Sequence, residues 1–214
     1  TTTNTSITRP VDSVQTNRTI VVSNHGSCNN GGVATAVNQL WWLGNMTTST
    51  LVNLTRGASG TCPGNASYFV VEFQDGSTVH SGEIGDVGDP SFAIFPSVNL
   101  SSTWYYYVHG ASTTVLDRAY VLMRSQNSTR LRFSHPDTVG ALRVQWYAID
   151  TPGAFVQNGT SSMSATVVNN ALTAVEVNRS FSITSNDNNG ANINHQTSMG
   201  TKQVNQTDKL VAKR

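Results

Sequence analysis

The feature that most constrains this chain is a weak internal repeat. Three segments share an opening, at Arg18 to Asn24, Thr103 to His109 and Arg179 to Asn186. A stretch with Val near its centre precedes each one, over 7–14, 92–100 and 165–177. A hairpin-like pair follows each one, from Trp42 to Leu54, from Leu122 to Phe133 and from Val204 to Val211. In the first two units a further strand pair comes next, over 68–82 and 142–159. The openings lie 85 and then 76 residues apart, and Phe69 aligns with Val144 at a spacing of 75. Self-similarity of this kind implies units that bury their cores by stacking on their neighbours. The units are expected at 1–83, 84–159 and 160–214.

The local chemistry is β. Segments rich in Val, Ile, Thr and aromatic residues alternate with Gly, Asn, Ser and Asp turns. Leu142, Val144, Trp146 and Ala148 are expected on the core face of a strand, with Arg143, Gln145 and Tyr147 on a wet face. Phe69, Val71 and Phe73 are expected to form the matching core row in the first unit. Gln74 to Ser77 and Asp150 to Gly153 read as equivalent turns. Val33, Val37, Leu40 and Trp41 have helical spacing, and 165–177 is ambiguous, but the repeat favours strands in both. The predicted fold is all-β, with tandem β-sandwich-like units numbering about two and two-thirds.

The third unit reads as incomplete. It runs to Lys209-Leu-Val-Ala-Lys-Arg214 where the first unit continues from Thr50 to Arg56 and on into a strand pair. A sheet lacking strands exposes backbone and core side chains. A second copy of the chain can cover such a sheet by strand addition, and head-to-tail contacts that do not close generate a filament. Trp104, Tyr106, Leu210 and Val211 are the expected interface residues.

Charge and sequons point to a compartment. Charged residues are only 12% of the chain and the net charge is +1, whereas Ser, Thr and Asn make up 72 of 214 residues. Nucleic-acid binding needs a basic face that this balance does not supply. No apolar run reaches the roughly 20 residues of a membrane span. Asn-X-Ser/Thr occurs ten times, at Asn4, Asn17, Asn45, Asn53, Asn65, Asn99, Asn127, Asn158, Asn178 and Asn205. Chance in this composition gives about five. N-glycans on these sites would supply the solvation that charges supply elsewhere. Cys28 and Cys62 are the only cysteines. In an oxidising compartment they would close one disulfide loop of about 34 residues, worth roughly 3–4 kcal/mol. The opening at Thr1, with no Met or leader, fits a processed form. The expected location is extracellular.

Catalytic chemistry is not visible. His25, His80, His109, His135 and His195 form no metal-binding pair, and His109 reads as a surface turn residue. Asp86, Asp89 and Asp187 sit in turns that could offer oxygen ligands, but calcium needs six to eight and the helix–loop–helix calcium pattern is absent. Gly-X-Ser-X-Gly is absent. Glu72 and Asp75 are close in sequence, but Glu72 reads as outward-facing and aligns with Tyr147, so a paired-carboxylate site gains no support. The expectation is a non-enzyme with no metal and no cofactor. The clusters Trp41-Trp42, 104–107 and Trp146-Tyr147 read as core or subunit interface, with sugar stacking as the second reading.

Taken together, the repeat, the Ser/Thr/Asn-rich composition, the sequons and the open last unit resemble tandem β-repeat proteins of microbial surfaces and extracellular fibres. That resemblance implies a structural subunit that polymerises with copies of itself by strand donation. A carbohydrate-binding or adhesin module is the alternative.

Overall fold

The structure, a computed structural model, describes residues 5–23, 27–28, 41–57, 64–85, 87–88, 90–111, 121–134, 142–159, 167–183, 201–206 and 209–213. The chain is all-β. Its strands are β1 (Ser6–Pro10), β2 (Thr19–Ser23), β3 (Ser27–Cys28), β4 (Trp42–Thr48), β5 (Leu51–Arg56), β6 (Gly64–Asn65), β7 (Tyr68–Glu72) and β8 (Thr78–Ile84). They continue as β9 (Ser91–Ile94), β10 (Thr103–Ala111), β11 (Leu122–Asn127), β12 (Arg130–Ser134), β13 (Leu142–Asp150), β14 (Val167–Ala171), β15 (Thr201–Gln206) and β16 (Lys209–Lys213). Two short 3-10 turns, Thr16–Arg18 and Val177–Arg179, are the only helical geometry among the described residues.

One arrangement occurs three times. A hairpin takes a third, earlier strand on its second arm, giving the orders β1-β5-β4, β9-β12-β11 and β14-β16-β15, all antiparallel. Each hairpin carries a register shift at the same place, between Met46 and Thr48, Ser125 and Asn127, and Val204 and Gln206. Thr48, Asn127 and Gln206 are therefore equivalent, each 79 residues from the next. A bulge bends and twists its hairpin, which lets the two arms wrap a core. Val52 and Leu54 on β5, and Leu131 and Phe133 on β12, alternate inward and are at most 3% exposed.

The segment that follows each of these earlier strands leaves its turn by the same device, into β2 and β10 in the first two cases and into the extended backbone of 180–183 in the third. Thr19 Oγ1 donates to the Gln15 carbonyl at 2.7 Å, and Thr103 Oγ1 donates to the Asn99 carbonyl at 2.7 Å. Ser180 Oγ donates to the Glu176 carbonyl at 2.6 Å. A hydroxyl returning to the carbonyl four residues back satisfies the acceptor at the point where the chain leaves a tight turn for an extended strand. The three hydroxyls set the equivalence Thr19, Thr103, Ser180, with spacings of 84 and 77 rather than the expected 85 and 76.

Strand pairing corrects the rest of the alignment. β2 pairs β7 with Thr19 opposite Glu72, and β10 pairs β13 with Thr103 opposite Asp150. Glu72 thus matches Asp150, Phe69 matches Tyr147 and Tyr68 matches Trp146. The sequence alignment was out by three residues, and an odd error reverses the two faces of a strand. Tyr68 and Val70 pack on the first core, while Phe69 is 60% exposed and Val71 is also exposed, the reverse of the expected row. Phe73 lies past the end of β7 and packs between units. The expected turns do match: Gly76 and Gly153 both adopt positive φ, at 84° and 79°.

Each of the first two units has its own core. Val21, Trp42, Val52 and Leu54 fill the first, joined by Ile7, Tyr68 and Val70. The second gathers Phe95, Tyr105, Leu131, Phe133, Leu142, Val144, Trp146 and Ala148, with Trp41 reaching in from the first unit. Segment 165–177 contains β14 and the start of a 3-10 turn. Val33, Val37 and Leu40 lie outside the described residues.

Gly82 on β8 lies under the Trp146 indole, where a Cβ would come 2.8 Å from the ring. Gly82→Ala is expected to cost about 1–3 kcal/mol through overpacking. At roughly 2–4 °C per kcal/mol for a chain of this size, the melting temperature falls measurably. Gly85→Ala, whose Cβ meets nothing within 4 Å, is the control and leaves the melting curve in place. Differential scanning calorimetry of the two variants checks this.

Candidate functional site

The place where chemistry concentrates is the joint between the first two units. β8 leaves the first unit after the Gly76 turn and pairs with β13, completing the order β10-β13-β8. The first unit therefore donates a strand to the second unit's sheet. β13 is paired on both edges and buried on both faces. Leu142, Val144 and Ala148 are on the core side, and Tyr147 and Ile149 are on the other. The face expected to be wet carries Gln145 at 5% exposure and Tyr147 at 3%. Arg143 on the same face is half-buried, and Tyr147 is buried because Ile20, Val21 and Gly44 cover it.

The cover is specific. Ile20, Val79, Tyr147 and Ile149 form one buried cluster, flanked by Val22, Phe73, Trp104 and Tyr106. The Tyr147 hydroxyl donates to the Gly44 carbonyl at 3.0 Å and accepts from the Val21 amide at 3.3 Å. One phenol thus ties β13 to β4 and to β2. Gly44 is where the backbones come close: a Cβ there would sit 2.6 Å from a Val21 methyl. Burial holds the Tyr147 phenol well above the usual tyrosine range and pushes Tyr106 up to about 12. Outside the cluster, Arg143 Nε donates to Glu83 at 2.6 Å across the β13–β8 ladder.

The same surfaces recur uncovered elsewhere. β7 is the counterpart of β13, yet among the described residues it pairs with β2 alone and has no strand in the place of β8. Phe69 and Val71 are exposed where Tyr147 and Ile149 are buried. Past Ser180, Phe181 matches Ile20 and Ile183 matches Val22. Phe181 is 68% exposed against 4% for Ile20, and Ile183 is exposed too. Segment 154–159, which leaves the Gly153 turn as β8 leaves Gly76, has no ladder partner among the described residues, and its Phe155 is exposed.

The predicted site residues distribute as follows. Trp104 and Tyr106 are half-buried in the joint within the chain, and Trp104 Nε1 donates to Thr151 Oγ1 at 3.0 Å. Leu210 and Val211 are placed on β16 by backbone alone, with Leu210 at the register position of Val52 and Leu131. Asn17, Asn65, Asn99, Asn127 and Asn158 are exposed, and Asn45 and Asn53 are half-buried on strands. Asn178 and Asn205 are placed by backbone alone, and Asn4 lies outside the described residues. Asn127 Oδ1 accepts from the Thr129 amide and hydroxyl at 2.9 and 3.0 Å. Asn99 Oδ1 accepts from Ser101 in the same way, at 3.1 and 2.8 Å. In the sequons of Asn17 and Asn178 the third-position hydroxyls, Thr19 and Ser180, are the strand-start hydroxyls described above. Cys28 is paired in register with Gly64, two residues from Cys62, which itself lies outside the described residues.

Several chemical readings need correction. His109 is not a surface turn residue: it lies within β10 and meets Trp41 edge-on at 4.6 Å between ring centres. His80 lies within β8 and stacks on Phe95. Glu72 does not point outward without a partner. Its carboxylate accepts from the Gln15 amide at 2.9 Å, and its counterpart Asp150 accepts from Ser102 Oγ at 2.6 Å. The acid is thus a recurring brace for the turn before the strand. Trp146 is 6% exposed in a core, so neither ring face is free for a sugar. His25, His135, His195, Asp86, Asp89 and Asp187 lie outside the described residues. Among the described residues no three His, Cys, Asp or Glu side chains gather as a metal site, and no helix is long and apolar enough to cross a membrane.

No protein family, curated protein or solved structure matches this chain.

The buried phenols carry a pH dependence. Their folded pKa values lie above the unfolded value of 10, so the folded state holds protons that the unfolded state has released. This stability is complete below pH 10 and is lost as pH rises toward about 12. Alkaline unfolding followed by tyrosinate absorbance is expected in that window. Tyr147→Phe should shallow the slope there. At pH 7 it should lower stability by about 1–3 kcal/mol, because the Val21 amide and Gly44 carbonyl lose their partner.

Proposed function

We propose that the chain is a secreted, N-glycosylated structural subunit of an extracellular filament or surface layer, in which copies join head to tail by β-strand complementation. The observation that carries this reading is the donation of β8 into the β10-β13 sheet. β8 is given forward to the sheet of β10 and β13, and β7 offers an edge of the same kind with no strand on it among the described residues. Exposed backbone donors and acceptors on such an edge gain hydrogen bonds from an added strand, and apolar side chains on its face gain burial. The exposed sequons at Asn65, Asn99, Asn127 and Asn158 support a glycan coat away from the joint cluster. The register of Cys28 with Gly64 supports a Cys28–Cys62 disulfide and an oxidising compartment. In such an assembly the function is mechanical, and lifetime rests on slow unfolding.

Negative-stain electron microscopy of the secreted chain, with mass by light scattering, tests the proposal. Regular fibres whose axial repeat matches one subunit are the expected result, and a glycosylated monomer at all concentrations overturns it. Peptide-N-glycosidase treatment should lower the mass of the secreted chain. Reduction should lower the melting temperature by an amount corresponding to roughly 3–4 kcal/mol.

A further inference from the structure

Among the described residues, two uncovered apolar faces correspond to the two halves of the internal joint. Within the chain, Tyr147 and Ile149 share a buried cluster with Ile20, and Val22 packs against it. Strand register makes Phe69 and Val71 the counterparts of Tyr147 and Ile149. The strand-start hydroxyls make Phe181 and Ile183 the counterparts of Ile20 and Val22. All four counterparts are exposed, from 37% for Val71 to 68% for Phe181. They belong to different units, so a patch of one kind on one copy can meet the patch of the other kind on a second copy. Apolar patches open to solvent in this way mark interaction surfaces.

We propose that Phe69 and Val71 of one copy seat on Phe181 and Ile183 of a second copy, repeating between molecules the packing that joins the first two units within one. This inference rests on the head-to-tail reading and names the surfaces that make the contact. The contact is heterologous, since each patch meets a different one, so every added copy leaves one patch of each kind free. Trp104 holds Phe181 from inside the same copy, edge to face at 5.5 Å between ring centres, which fixes one side of the seat. Phe69 brings no hydroxyl to replace that of Tyr147. The contact between copies therefore lacks the two bonds that the Tyr147 hydroxyl makes to Val21 and Gly44 and is weaker than the internal joint, so assembly depends on concentration.

The test uses two variants of the full secreted chain, Phe69→Asp and Phe181→Asp. Both replace exposed side chains, and unchanged circular dichroism and melting curves identify them as folded. Each alone is expected to lose fibres and run as a monomer. Mixed in equal amounts they are expected to form a 1:1 dimer of twice the monomer mass and nothing larger, because only one intact pair of patches remains. Sedimentation velocity reads all three samples. Fibres from either variant alone overturn this joint and leave the filament reading standing. Monomers in the mixture, beside a polymeric wild type, overturn the pairing of these two patches. A wild-type chain that stays monomeric up to about 1 mM, where a contact worth about 4 kcal/mol would show, overturns both readings.

Discussion

β13 is the strand on which the rest of the described structure depends. It pairs with β10 on one edge and with β8 on the other, and it is buried on both faces. A strand in that position needs apolar residues on both sides, and Leu142 to Ile149 supply them. The inner set closes the second core against Leu131 and Phe133. The outer set makes the joint with the first unit. Because β8 comes from the first unit, that joint combines ladder hydrogen bonds with apolar burial. The first two units are held by the same forces that hold each sheet together, and the Tyr147 hydroxyl adds two further bonds across the seam.

The recurrence is one of backbone devices more than of side chains. The bulge at Thr48, Asn127 and Gln206 has three different residues. The strand-start hydroxyl is Thr, Thr and Ser, but its partner is a carbonyl contributed by Gln15, Asn99 and Glu176. The acid behind it is Glu72 in one unit and Asp150 in another. A carbonyl acceptor imposes no side-chain identity, so these devices persist while the residues around them change. Two sequons, at Asn17 and Asn178, share their hydroxyl residue with this turn. Part of the sequon excess therefore reflects what the strand start requires.

Much of the fold was legible beforehand. The runs of Val, Ile, Thr and aromatic residues broken by Gly, Asn, Ser and Asp turns identify the all-β class. The register between units was not legible, for a physical reason. Tyr68 to Val71 and Tyr105 to Val108 are apolar or aromatic at every position, so either alternate row could face a core. A period-two pattern carries no information about register when both rows are apolar. Trp104 and Tyr106 do line a joint, but it lies inside the chain. Phe69 reads from the sequence as part of a core row and Phe181 as a single Phe among Ser and Thr, yet both side chains are exposed.

The sequence by itself determined that this chain builds strands and turns and carries little charge. Those properties depend on local backbone preference and on composition, which neighbours in the chain already express. Tertiary structure alone decided which face of each strand is core, which unit β8 completes, and which apolar residues remain open. These follow from pairing partners distant in sequence, as Trp146 and Gly82 are. Burial is a property of what lies across the ladder and across the seam. Ile20 and Phe181 stand at the same place in the repeat, and only the presence or absence of a covering face makes one core and the other surface.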